Sequence, residues 1–317
     1  LESKIASFGI PEFGTPFVRQ MILETKPKNF AELVKVSGLS HGTNVWATNA
    51  QNLIKGDSSF IKIPFKDIIG CRDDIMIDLI NFGMAPFVAF EIMEFVRRGK
   101  PSSDKKKWQA YKEEMERNNV PDWYIWSCGK IKYMFPKAHA VAYVLMAVRI
   151  AWFKVHHPLL FYSAFFSKRA VQFDHGVMVA GANAIRNQIK ELEKIPTHLQ
   201  KVKDVDLLTT FYVAFEMTRR GFVFLPVDIH KSRATIFKLE DKGLRMPFIS
   251  IDGLGIQVAL QIEEERNKKE FISLEDIKER TRINKTVFEY LEKCGAFGDL
   301  EEKTDIFSQG LFEDSLI

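Results

Sequence analysis

Lys130-Ile-Lys132-Tyr-Met-Phe-Pro136-Lys137-Ala-His139-Ala-Val-Ala-Tyr143-Val-Leu-Met-Ala-Val-Arg149-Ile-Ala-Trp-Phe-Lys154-Val-His156-His157-Pro158 reads as one long helix set between two prolines. Pro136 suits a first helical turn, where its missing N–H is no loss. The helix runs to about His157 and stops before Pro158. Its N-terminus carries roughly half a positive charge and several unpaired backbone N–H groups. Lys137 and His139 lie beside that end, with Lys130 and Lys132 just upstream. Such donors converging on one point suit a polyphosphate. His139 and Tyr143, four residues apart, share a helix face, so Tyr143 can stack on or sterically check a base held by its phosphates. The plainer alternative, a core tyrosine and solvated lysines, stays open.

The surrounding charge favours anions. From Asp122 to Arg169 the bases are Lys130, Lys132, Lys137, Arg149, Lys154, Lys168 and Arg169, against the single acid Asp122. The whole chain is milder: 317 residues with a formal net charge of +4, 46% hydrophobic and 27% charged. That length suits two or three domains of roughly 100–200 residues. Of Cys71, Cys128 and Cys294 no pair has zinc-ligand spacing, and the odd count argues against a disulfide framework, which fits a reducing cytoplasm. No signal-peptide pattern opens the chain. No apolar run is expected to reach the ~20 residues that cross a bilayer, because His139 and Arg149 interrupt the richest stretch, 138–153. The first residue, Leu1, is not a start methionine, so a fragment of a longer protein is expected.

Working outward, the pattern predicts a mainly α fold with a small β insertion. Upstream, turn signals at Pro11, Gly14 and Pro16 give way to short helices, including one capped at Asn29. Two helices over 65–98 are divided near Gly83 and Pro86. A charged helix covers 104–118, and another starts at Pro121. Its aromatic residues Trp123, Tyr124 and Trp126 read as packing. Downstream, helices are expected over 159–170, 176–194 and 202–220. After Gly221, short strands are expected at 222–225, Asp228–Ile229 and 235–239, then helices over 248–300. The implied division is residues 1–220, 221–300, and a flexible acidic tail, 301–317.

A second constellation lies at Phe248-Ile-Ser-Ile-Asp-Gly253-Leu254-Gly255-Ile256-Gln257-Val-Ala. Gly-hydrophobic-Gly before a helical stripe permits a tight hairpin between helices. It also bares backbone N–H groups to a DNA phosphate, with no Cβ in the way. This is the logic of a helix-hairpin-helix, which grips backbone and not bases. An ordinary interhelical turn is the alternative. Ser273-Leu-Glu-Asp276 adds a helix-start signature, and 283–297 suggests a second helical pair. Adjacent carboxylates at Arg72-Asp73-Asp74 invite a Mg²⁺ reading, but neighbours on a helix diverge by ~100°, which favours a cap with a first-turn acid. Asp204-Val-Asp206 likewise reads as a helix start.

Several runs resemble one family closely. Gly9-Ile-Pro-Glu-Phe-Gly-Thr-Pro-Phe-Val-Arg-Gln-Met21, Ser37-Gly-Leu-Ser-His-Gly-Thr-Asn-Val-Trp46, Ile69-Gly-Cys-Arg-Asp-Asp-Ile-Met76 and the stretch 130–158 resemble the fingers of the PolC type of bacterial DNA polymerase III, a C-family replicative polymerase. The resemblance runs from near Gly9 to at least Leu300 and is weakest over 159–240. It implies a multi-helix fingers region over 1–220, followed by a duplex-binding domain that contains the helix-hairpin-helix. It implies template-directed DNA synthesis, with Mg²⁺ held in a two-metal mechanism by palm aspartates upstream of this chain. The family's zinc site and exonuclease are upstream too, so the chain alone should not catalyse.

The resemblance places Arg72, Lys132, Lys137, His139 and Arg149 at or near the incoming dNTP triphosphate. It assigns the primer–template duplex to Gly253, Leu254, Gly255, Ile256 and Gln257. In the tail, Ser308-Gln-Gly-Leu311-Phe312 is similar to the family's terminal clamp peptide, Gln-x-x-Leu-Phe, with Leu311 and Phe312 as the apolar plug for a sliding clamp. It departs in Ser308, where glutamine is expected, and in the five residues after Phe312. Expected partners are DNA duplex, dNTP, the clamp and other replisome subunits, with no membrane. Two rivals remain: a free-standing helix-hairpin-helix DNA-binding module, and a nuclease using Asp73 and Asp74.

Overall fold

A computed structural model describes residues 4–56, 60–196 and 198–303. The chain divides into two compact units, one up to Trp152 and one from Phe153 onward. The boundary falls inside a single helix.

The first unit is helical because its starts are well signalled. Helix α1 (Pro16–Thr25) begins at Thr15, whose hydroxyl accepts from the Val18 N–H at 3.3 Å. Helix α2 (Phe30–His41) is capped by the Asn29 side chain, which accepts from the Glu32 N–H at 2.9 Å. After the short α3 (Gln51–Lys55), α4 (Arg72–Asn81) and α5 (Pro86–Arg97) pack on each other. Then follow α6 (Lys100–Ser103), α7 (Lys105–Arg117) and α8 (Asp122–Lys130). Met21, Val36, Leu53, Ile75, Leu79 and Ile92 are fully buried and form the core. Tyr124 is buried with them and donates its hydroxyl to Asp78 Oδ2 at 3.0 Å.

Helix α9 (Lys137–His156) has the extent expected from its two prolines. It buries a narrow stripe, Ala140, Val144 and Ala147, and exposes Tyr143, Met146 and Trp152. By length and composition it is apolar enough to cross a membrane, and little of it is buried. The expectation that no stretch reaches that length is therefore corrected: His139 and Arg149 dilute the apolar run without ending the helix.

In the second unit, α10 (Pro158–Lys168), α11 (His175–Ala180), α12 (Ala182–Glu193) and α13 (Val202–Arg219) come first. The single helix expected over 176–194 is broken at Gly181, whose φ of +86° ends α11. Asp204 closes the start of α13 by accepting from the Lys201 N–H at 3.0 Å. The carboxylate of Glu216 on α13 meets the buried Lys154 ammonium at 2.8 Å and the Tyr162 hydroxyl at 2.6 Å, so this buried charge is fully partnered.

The small sheet has strands β1 (Val223–Leu225), β2 (Lys238–Glu240) and β3 (Gly243–Arg245), in the order β1-β3-β2. β3 runs parallel to β1 and antiparallel to β2. A Cβ on Gly243 would lie 2.3 Å from the Val223 carbonyl oxygen, so the parallel pair needs glycine there. Asp228–Ile229 is a turn and not a strand, because the Asp228 carboxylate accepts from the N–H groups of His230 and Lys231. Phe166, Phe224 and Phe237 meet at 5.2–6.3 Å beneath the sheet. The last helices are α14 (Ile256–Lys268), α15 (Leu274–Arg280) and α16 (Lys285–Lys293).

Candidate functional site

The start of α9 is built by two distant segments. The Thr43 N–H bonds to the Tyr133 carbonyl at 2.9 Å, and the Lys132 N–H bonds to the Thr43 carbonyl at 3.0 Å. The Phe135 carbonyl then accepts from the Arg72 N–H at 3.1 Å, which sets the start of α9 against the start of α4. Asp73 Oδ2 accepts from the Lys137 N–H at 2.7 Å, and Asp74 Oδ1 accepts from the Lys137 ammonium at 2.7 Å. Asp74 is buried, and its Oδ2 also accepts from the N–H groups of Gly70 at 3.0 Å and Cys71 at 2.9 Å. The sequence reading of Asp74 as a first-turn acid thus holds for α4. Asp73, by contrast, caps a helix 64 residues away.

The electrostatics follow. Burial works against the Lys137 charge, but the hydrogen bond and field of Asp74 outweigh it and hold the ammonium above the ordinary lysine value. Burial pushes the Cys71 thiol up to about 12, helped by the Asp74 charge, so this cysteine is inert. Burial lowers Lys35, against the pull of Asp74 and Asp78. Burial likewise raises Asp78, against the Tyr124 hydrogen bond. A cleft of about 740 Å³ opens beside them, lined by Lys35, Asp74, Asp78, Trp123, Tyr124 and Lys137 among others.

The expected nucleotide residues separate into groups. Arg72, Lys137, His139 and Tyr143 gather around Phe135. His139 meets the Phe135 ring edge-on at 5.9 Å, and Tyr143 lies face to face with it at 6.4 Å. Arg72 Nε is 3.8 Å from Asp73 Oδ2, beyond hydrogen-bond reach. Lys132 points its ammonium to the Ser102 hydroxyl at 3.0 Å. Arg149 is exposed and lies twelve residues beyond Lys137, about 18 Å along the axis. The structure does not bring it to the others. Spacing alone missed His41, whose ring stacks on Phe135 at 4.7 Å while its Nε2 pairs with Glu12 at 2.5 Å. Only the run 37–46, quoted for its resemblance, pointed there.

The second constellation is differently finished. The helix expected from Phe248 is a single 3₁₀ turn, Phe248–Ser250. The N–H groups of Phe248 and Ile249 bond to the carbonyls of Arg233 and Ala234, which pins this turn to the 233–234 segment. Gly253 turns the chain with φ +81°, and Gly255 is the N-cap of α14, with no side chain to close it. Gly253, Gly255, Ile256 and Gln257 are exposed, whereas Leu254, at 6% exposure, anchors the loop inward. A Cβ on Gly255 would meet nothing within 4 Å, so packing does not demand glycine there. By contrast, Ser273 closes α15 by accepting from the Asp276 N–H at 3.1 Å, and Asn284 closes α16 by accepting from the Val287 N–H at 2.9 Å.

Among the described residues, no three His, Cys, Asp or Glu side chains cluster as metal ligands. Asp73 and Asp74 already serve N–H and ammonium donors, so they do not fit a divalent cation. Leu311 and Phe312 lie outside the described residues.

Comparison with known proteins joins the two constellations. The bacterial DNA polymerase III alpha subunit finger domain matches residues 2–119, and a helix-hairpin-helix motif family matches residues 221–305. A protein named DNA polymerase III PolC-type from Oceanobacillus iheyensis is 51% identical over 306 residues, covering 96% of this chain and 21% of the relative. Its namesakes from Bacillus subtilis and Thermotoga maritima are each 50% identical over 303 residues, covering 96% and 95% of this chain and 20% and 21% of those proteins.

The chain corresponds to the fingers and helix-hairpin-helix region of the PolC-type DNA polymerase III family. It spans about a fifth of the length of the curated PolC-type relatives it matches. Within this PolC-type region, the finger-domain match includes Arg72 but stops short of Lys132–Arg149. The helix-hairpin-helix match includes Gly253–Gln257.

Proposed function

We propose that this region works in DNA-directed DNA synthesis as the fingers and duplex-gripping part of a replicative polymerase. The observation that carries the reading is the identity of about one residue in two, across nearly the whole chain, with proteins named DNA polymerase III PolC-type. The geometry supports it at two places. The exposed surface around Phe135, with Lys132, His139 and Tyr143, suits a nucleoside triphosphate, and Arg72 and Lys137 belong to the same cluster. Arg149 would serve a separate stretch of the substrate. The open N-terminus of α14, flanked by Gly253 and Gln257, suits a duplex phosphate.

In this reading the fingers run over 1–220 and the duplex-binding domain over 221–300. Mg²⁺ is held by carboxylates of the longer polymerase outside this chain. The setting is the cytoplasm. A sliding clamp, taken by Leu311 and Phe312, rests on the tail sequence alone, and other replisome subunits rest on the family resemblance.

The test is a pair of assays. The chain should bind duplex DNA without base preference and with an affinity that falls steeply with salt, as phosphate contacts demand. It should incorporate no nucleotide unless the rest of the polymerase is supplied. Strong sequence preference, salt-independent binding or incorporation by the chain alone would refute the proposal.

A further inference from the structure

The geometry points to a division of labour at the start of α9: Asp73 and Asp74 are positioning residues, Lys137 is the strut between them, and the triphosphate is met by Lys132 and His139. This rests on the reading that α9 faces the incoming nucleotide.

Lys137 is tied at both its backbone and its side chain, and the half-exposed ammonium keeps two of its three hydrogens. Its N–H goes to Asp73 and its ammonium to Asp74, each at 2.7 Å. Asp74 cannot swing aside, since it is buried and its second oxygen holds the N–H groups of Gly70 and Cys71. A phosphate that drew the Lys137 ammonium off Asp74 would leave a buried carboxylate short of its paired cation, the costly way to break such a pair. It would also approach two anions at close range. The remaining bonds of the junction point the same way. The Arg72 N–H holds the Phe135 carbonyl at 3.1 Å, and the Met134 N–H holds the Arg97 carbonyl at 3.3 Å, so the turn into α9 is fixed on both sides. Lys132 is exposed, and among the described residues its ammonium is held by a neutral hydroxyl, Ser102 Oγ. His139 is exposed one half-turn into the helix. These two can meet a phosphate without dismantling the junction.

The test uses the full-length polymerase that carries this region, reading KM and kcat for dNTP and Kd for primer–template. Asp73→Ala removes the cap of α9, while Asp73→Asn keeps an acceptor oxygen. Positioning predicts a KM for dNTP raised roughly three- to tenfold by Asp73→Ala, in proportion to a lost helix cap, and restored to within about twofold by Asp73→Asn. Kd for primer–template should stay put. Asp74→Asn should raise KM as well, and adding Lys137→Met should make it little worse, because the two act as one unit. If the aspartates merely occupy the donors a triphosphate needs, Asp73→Ala, Asp73→Asn and Asp74→Asn all lower KM, which overturns the proposal. Should Asp74→Asn fail to fold, the half-exposed Asp73 pair carries the decision alone. Lys132→Ala and His139→Ala without effect on KM would sink the triphosphate reading itself, whatever Asp73 does.

Discussion

Helices α9 and α14 begin alike in sequence, each reading as an N-terminus free for phosphate, yet they are finished in opposite ways. At α9 a carboxylate from another helix occupies the first-turn donor at 2.7 Å, and a second carboxylate takes the adjacent ammonium. At α14 the cap is Gly255, which offers no side chain, and the first residues are exposed. A closed end fixes its helix in place. An open end keeps its N–H groups, and its share of the helix dipole, for something arriving from outside. The same elementary feature is thus a joint in one unit and is left open in the other.

The sharpest way to break this comparison is to close the open end. Gly255 has φ −71° and ψ 155°, a conformation any residue adopts, and a Cβ there has room. Gly255→Asp should therefore fold. Its carboxylate would cap α14 and repel a phosphate. We expect duplex affinity to fall by roughly 2–3 kcal/mol, the scale of removing a charge-assisted hydrogen bond and adding a like charge, while stability holds or rises slightly. A DNA titration beside a urea melt reads both. An unchanged affinity would mean that α14 does not meet the duplex.

A smaller effect sharpens the contrast within the second unit. Ser273 is buried and caps α15 internally. Ser273→Ala should lower stability by about 1–2 kcal/mol, the cost of a lost cap with a donor left buried, and leave duplex affinity alone. If affinity fell as far as for Gly255→Asp, internal and external helix ends would not be separable here.

Much of this was legible in the sequence because it is local. Pro136 marked the start of α9, Asn29 and Ser273 marked caps, and Gly253 marked the turn into α14; each acts within a few residues. Asp74 was legible as a helix-start acid for the same reason. The role of Asp73 was not, because its partner is Lys137, 64 residues further along the chain. Nor was His41, whose place on Phe135 depends on the fold bringing α2 to the α9 start. The helix expected from Phe248 is a single 3₁₀ turn, pinned by bonds to Arg233 and Ala234, partners that no local pattern reveals.

The smallest expected effect separates the two units by pH. The start of α9 is tied by an ion pair, whereas the helix-hairpin-helix side is braced by a neutral histidine. His175 is buried; its Nε2 accepts from the Val227 N–H at 3.1 Å, which leaves the ring proton on Nδ1, facing the Tyr290 hydroxyl of α16 at 3.4 Å. Burial lowers its pKa, against the opposing charge of Asp174. The sign is fixed by that direction. The unfolded chain takes up a proton near the ordinary histidine value of about 6.5 and the folded chain refuses it, so stability is level above that pH and falls as pH drops below it. Protonation would also turn Nε2 into a donor facing the Val227 N–H. Hydrogen exchange between about pH 5.5 and 7, above the carboxylate range, should show α11 and α16 amides losing protection on acidification while those at the α9 start do not. His175→Gln should remove the dependence. Protection of α16 that stays constant, or rises, as pH falls through this window would show that the neutral imidazole is not what braces the second unit.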